Sequence, residues 1–485
     1  MAVRAQEAQP RIDPMTGELL GEVILRTGEN PNLLDEYGQP IDVAAPIPGE
    51  QLIITPAPVL GGDVAPAGTV AGTRPVVPLL RGSTIAEQRS QPGQLKTGDF
   101  SQDLVDVRQR PRPELAATGI RAGGFTIFPQ VATRVSFTDN VTRALSNKKS
   151  DMLYAVSPSL RIDSNWGRHA LSLQYSGDYG TYLDTRSERI LSTNLAAQGR
   201  IDFSRADQLT LRASFATALE ERDNVDVPAA VTRPGFVTRY EGQADYQRRF
   251  NRATINFRGN YALEQYGDSQ EATGNQDNSD RDLTDAGSGL RLSYDVGPAL
   301  QAFVDGEIDR RDYLNVASGD LDRSSWGWRT MVGVRLDATR RLRGEVSAGY
   351  LRRDYDASGL SPTQGPVVDA NLAWLVTPLT TVVASAGAEV DETTLTGSSG
   401  VFTNRVAIGI AHELQRNVML SADLGFERQD YKGADLSSSK IVVTMGANYQ
   451  LTRNAALSLT GVYEDEISRQ GVGQYVENSL TLGLV

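Results

Sequence analysis

The chain has 485 residues, a formal net charge of -12, a hydrophobic fraction of 40% and no cysteine. That length suffices for one large or two medium domains, yet no apolar run of about 18 residues occurs, so helices cannot carry the chain through a membrane. The lack of cysteine excludes disulfides, thiolate metal sites and cysteine nucleophiles, and the acidic balance excludes a nucleic-acid binder, which needs clustered Lys and Arg without a matching acidic load.

The first residues, Met1 to Glu7, have neither the basic nor the apolar region of a secretory signal. For an exported protein this places the start at or near a mature end, or the true start upstream. Residues 1 to about 115 hold fourteen of the 22 prolines, spaced too closely for helix or sheet to run far. Short apolar runs at Gln51 to Pro56 and Thr69 to Leu80 are too brief for a core. Residues 1–118 therefore read as a disordered, Pro-rich periplasmic arm: a linker, a partner-binding segment or a plug.

From Gly119 the pattern changes to period two, as in strands with one apolar and one polar face. Leu171, Leu173, Tyr175 and Tyr179 alternate with Ser172, Gln174, Ser176 and Asp178, and Leu209, Leu211, Ala213 and Phe215 with Thr210, Arg212 and Ser214. Asn256-x-Arg258-x-Asn260, Asp305-x-Glu307-x-Asp309 and Arg343-x-Glu345 put charge on the polar face. Leu420 to Glu427 and Ile441 to Leu451 alternate throughout. The runs extend for about twelve residues or more, against the usual 5 to 6 of soluble strands.

Tight turns are expected near Trp166, Ala206, Asn251, Pro298, Arg340, Pro378, Arg416 and Arg453. Longer polar connections alternate with them, for example at Arg222 to Pro234, Ser269 to Asp282, Val316 to Ser325, Ser358 to Pro366, Thr394 to Gly400 and Gly433 to Ser439. Short turns on one side and long loops on the other characterise outer-membrane barrels, the short ones facing the periplasm. The fold class is thus all-β: a transmembrane antiparallel β-barrel of about 18 strands over residues 119–485. Gln474 to Val485 would lie beside Gly124 to Asn140 and remove the sheet edge.

The expected lumen-lining residues are Arg212, Arg258, Asp305, Glu307, Arg343, Glu345, Glu389 and Asp423. A repeat, Arg310-Arg311-Asp312-Tyr313, Arg352-Arg353-Asp354-Tyr355 and Arg428-Gln429-Asp430-Tyr431, reads as loop-side strand ends. Its tyrosines Tyr313, Tyr355 and Tyr431, with Trp326 and Trp328, are expected in the outer aromatic girdle. No enzyme is expected, since His169 and His412, the only histidines, fall at the periplasmic rim. Ala411-His412-Glu413-Leu414 lacks the second histidine of a zinc pattern. Glu464-Asp465-Glu466 lacks the spaced ligands of a calcium loop and reads as solvated loop charge. No cofactor or metal is expected. Only Phe303 clearly points inward among the aromatics, which gives little support to a sugar track.

Gly119-Ile120-Arg121-Ala122-Gly123-Gly124-Phe125-Thr126-Ile127-Phe128-Pro129, followed by Phe137-Thr138-Asp139-Asn140, resembles the start of the putative beta-barrel porin type 2 family of proteobacteria. The resemblance covers about residues 119 to 485. It implies a Gram-negative outer-membrane barrel, sometimes encoded with exopolysaccharide or capsule synthesis. Such barrels often finish on an aromatic residue, whereas this chain finishes Leu482-Gly483-Leu484-Val485. The function expected is a porin-like passive channel for hydrophilic solutes or an accessory to surface polysaccharide export. The alternative is a docking protein with an occluded lumen whose arm grips a periplasmic partner. Outer-membrane lipid and the barrel assembly machinery are the other partners expected.

Overall fold

The computed structural model describes residues 107–485 apart from 109–111, 113, 187, 221–230, 272–273, 317–320, 338–340, 394, 396 and 470–473. The arm up to residue 106 lies outside the described residues. The chain enters through a short strand, β1 (Ile120–Ala122), a two-residue turn, and β2 (Phe125–Thr138). Gly123 takes φ +59° in that turn, the conformation a tight hairpin requires and glycine adopts without a Cβ penalty.

The wall continues with β3 (Asp151–Ser164), β4 (Ala170–Tyr182), β5 (Arg189–Asp202) and β6 (Asp207–Leu219). After the three-residue β7 (Val231–Arg233) come β8 (Phe236–Phe250) and β9 (Ala253–Tyr266). Two more short strands, β10 (Ser269–Glu271) and β11 (Gly274–Gln276), pair with β7 as a separate small sheet. Then follow β12 (Leu283–Gly297), β13 (Leu300–Tyr313), β14 (Ser325–Asp337), β15 (Leu342–Tyr355), β16 (Thr363–Thr377) and β17 (Thr380–Asp391). The last five are β18 (Gly400–Gln415), β19 (Val418–Lys432), β20 (Leu436–Thr452), β21 (Ala455–Ser468) and β22 (Tyr475–Leu484).

The eighteen long strands form one closed antiparallel barrel. β22 closes it on β2 from Thr133↔Leu484 to Thr138↔Ser479, and β1 pairs with the opposite end of β2, Phe125 to Ile127. Because β22 is four residues shorter than β2, β1 covers backbone groups that would otherwise form a free edge.

The alternation of the sequence becomes two faces. On β18, Val406, Ile408 and Ile410 are about half exposed and point outward, while Thr403 and Ala411 are fully buried on the inward face. Seven of the eight expected tight turns fall where the sequence places them, all on one side of the barrel, and the one expected near Arg340 lies outside the described residues. Asn251 has φ +49° in the two-residue turn between β8 and β9. Loops on the other side are shorter than expected in two places: β16 already starts at Thr363 and includes Pro366, and β20 starts at Leu436. Polar composition marks those strand ends as leaving lipid, and pairing continues beyond it.

Two expectations are corrected here. Part of the stretch assigned to an unpacked arm is packed: Val107 is fully buried, and its N–H donates to Thr381 Oγ1 at 3.1 Å. Glu464-Asp465-Glu466 is not a loop but part of β21. Glu464 is buried on the inward face, bound by Lys440 and Tyr475, since even-numbered residues of β21 face the lumen.

Candidate functional site: the lumen and its inward hairpin

The inward faces of β9 and β12 to β15 carry a connected belt of charge. Arg258 donates to Asp305 at 2.8 Å, and Arg291 lies 3.9 Å from Asp305 and 2.6 Å from Glu345, which also takes Arg335 at 3.1 Å. Arg258 and Asp305 are buried to 5% and 1% exposure of their side chains. Isolated charges that buried are costly, so each holds the other in place. Arg291 also stacks 3.5 Å above the Phe303 ring, so the inward aromatic is capped by a guanidinium.

The other expected lumen residues lie on the same face. Arg212 donates to Gln198 at 3.2 Å, and Arg343 is buried on β15. Glu307 lines a cavity with Asn260, Asp285, Asp309, Arg311 and Arg329. Glu389 contacts Arg405, which also holds Glu427 at 2.8 Å. Asp423 spreads its carboxylate over Gly409, where a Cβ would lie 2.1 Å from the oxygen. A larger residue at Gly409 would displace that carboxylate.

A feature no local pattern announces is the path of the β17–β18 hairpin. Pairing between β16 and β17 stops at Ala370↔Ala386, although both strands continue. Beyond that point the hairpin lies over the inward faces of its neighbours. Arg329 donates to the Ala388 carbonyl at 3.4 Å and Arg311 to that of Val390 at 3.1 Å. Arg311 also contacts Glu392, whose second oxygen accepts from Tyr313 Oη at 3.0 Å. Arg323 grips the tip through the carbonyls of Ser398, 2.6 Å, and Leu395, 3.3 Å.

Apolar packing completes the contact. Ala388, Val390 and Phe402 from the hairpin cluster with Met331 and Val367, and Leu351 packs beside them. Gly365 admits the Phe402 ring, which would sit 3.1 Å from a Cβ there. Met331, Leu351 and Val367 are thus apolar on a lumen face because another layer covers them. The hairpin narrows the barrel on its loop side.

The repeat tyrosines are a third correction, because they do not join a lipid-facing girdle. Tyr313 donates to Glu392, Tyr355 bonds Thr363 Oγ1 at 3.2 Å, and Tyr431 is buried, donating to Gln429 at 3.1 Å. The reason is the same period of two: Tyr313 follows Asp305, Glu307, Asp309 and Arg311 on one face. The outward members are Arg310 with Asp312, Arg352 with Asp354 and Arg428 with Asp430. Trp326 and Trp328 do face outward, 55% and 39% exposed, with Arg310 5.6 Å over Trp326.

Just past the loop-side end of β15, the Arg310 guanidinium beside Asp356 holds that carboxyl below its ordinary value. Both histidines are engaged structurally. His169 Nδ1 accepts the Asp202 N–H at 3.0 Å, and His412 Nδ1 is 2.9 Å from the Thr380 hydroxyl. Among the described residues no group of three or more His, Asp or Glu is arranged to hold a metal ion.

The model of the family described as Putative beta-barrel porin 2 matches residues 112–485. No curated protein matches the chain. Among solved structures it is similar to OpdL of Pseudomonas aeruginosa, with 12% identity over 75% of this chain and 99% of that one and a TM-score of 0.40. OccAB4 of Acinetobacter baumannii gives 11% identity, 74% and 98% coverage and a TM-score of 0.40. A structure titled "Copper transporter OprC" gives 11%, 75% and 81%, and 0.43.

Proposed function

This chain belongs to the Putative beta-barrel porin 2 family of outer-membrane barrels, and from that premise we propose that it is a passive channel for small hydrophilic solutes. The supporting observation is the inward face, largely polar outside the patch that the hairpin covers and charged with both signs, which keeps a lumen wet. The β17–β18 hairpin is its constriction. Sugar stacking has little support, since Phe303 and Tyr431 are buried and already engaged. Assistance to surface polysaccharide export would use the same passage without a stacking track, and no enzymatic role is proposed.

Conductance of the purified barrel in planar bilayers tests this reading. Stepwise ohmic openings are expected, and they should enlarge when Glu392→Gln loosens the hairpin. A folded barrel that never conducts, in either form, overturns it. The second reading, a docking protein with an occluded lumen and an arm that meets a periplasmic partner, draws on the two segments that occupy the lumen, the hairpin and the chain at Val107. It predicts no openings and co-purification of a periplasmic protein that is lost when residues 1–106 are deleted.

A further inference from the structure

The chain leading into the barrel makes a graded set of contacts at the turn side. Innermost, Val107 is fully buried and its N–H is bonded to Thr381, an inward residue just after the β16–β17 turn. Next, Arg112 Nη2 reaches back to the Val107 carbonyl at 3.0 Å and across to Glu413 Oε2 at 2.8 Å. Glu413 is only 2% exposed on the inward face of β18, and a carboxylate buried to that degree needs a cation. Outermost, Glu114 takes Arg416 at 2.8 Å and offers its carbonyl to Arg453 Nε at 3.0 Å. Those two arginines come from separate turns, and the Glu114–Arg416 pair is about half exposed.

We propose that Val107, Arg112 and Glu114 form a latch at the turn-side mouth, anchored along the β16–β17, β18–β19 and β20–β21 turns, one that admits solute to the lumen when it is released and restricts it when closed. The exposed outer links are weak and screened by salt. The Arg112–Glu413 pair, with its carboxylate buried and its guanidinium also bonded to the Val107 carbonyl, is the step that holds the closed state. Opening therefore needs only a short segment to withdraw, with no change in the wall. This deepens the channel reading and rests on it for its consequence, though the latch itself is measurable without conduction.

Because the chain has no cysteine, thiols report on the latch cleanly. Ala411 is fully buried, inward, and paired directly with Thr381. In the full-length protein, Ala411→Cys should react slowly with a charged methanethiosulfonate. Adding Arg112→Gln should speed the reaction by about tenfold, since access follows the open fraction. Raising salt on Ala411→Cys alone should speed it in the same direction and needs no second variant to fold. Equal rates in all three conditions overturn the latch.

In bilayers, the double variant Val107→Cys with Thr381→Cys should conduct less when oxidised than after reduction. Open channels of equal conductance in both redox states also overturn it. If labelling accelerates but no variant conducts, the latch stands and the channel reading falls.

Discussion

At the scale of single residues, the lumen is held by charges that lie too deep to stand alone. Asp305 touches both Arg258 and Arg291 at 1% side-chain exposure. Asp305→Ala should take from the buried Arg258 its carboxylate partner, while Arg291 keeps Glu345, and lower stability by about 3–5 kcal/mol, read as a fall in the urea midpoint of the detergent-solubilised barrel. Asp356 offers a pH test at the loop side. Its carboxyl titrates below its ordinary value because Arg310 donates to it, so the link is intact above the ordinary value and is lost as pH falls below about 4. Faster exchange of the Asp356 amide, bonded to the Ser324 carbonyl at 2.8 Å, should appear only in that acid range. The inward placement of Tyr313, Tyr355 and Tyr431 was legible in the sequence, by carrying the parity of Asp305 and Glu307 a few residues further. Composition alone, with Arg and Asp beside a tyrosine, suggests an interface, and parity overrides it.

At the scale of elements, strands and turns follow from local chemistry, and the hairpin does not. Asn251 and Pro298 announce their turns because positive φ and a fixed φ are local properties. Phe402 announces nothing. By alternation it belongs with Val406 and Ile408 on the outward face of β18, yet it is 7% exposed against their 54% and 47%, because β17 has parted from β16 and the pair lies within the wall. Phe402→Ala removes the ring that fills the space at Gly365 and should cost about 3–5 kcal/mol. The expected readouts are faster proteolysis at the hairpin tip and larger single-channel steps. Loss of stability with unchanged steps would mean that the hairpin is structural only.

At the scale of the whole molecule, the inward carboxylates outnumber the inward cations, as Asp245, Asp305, Glu307 and Asp423 illustrate. A narrow acidic lumen concentrates cations, so the reversal potential in a potassium chloride gradient should be displaced toward potassium. A displacement toward chloride would show that the conducting path avoids this face. The sequence by itself determined the closed barrel, its strand number, the short turns among the described residues and the two faces of each strand, because strand periodicity and turn chemistry are local and repeat every few residues. Only the tertiary structure decided what lies inside: the hairpin at Arg311 and Arg329, and the segment that joins Val107 to Thr381 across 274 positions. Alternation says which side of a sheet a residue occupies, but what it meets there depends on how the sheet curls and which segments enter it.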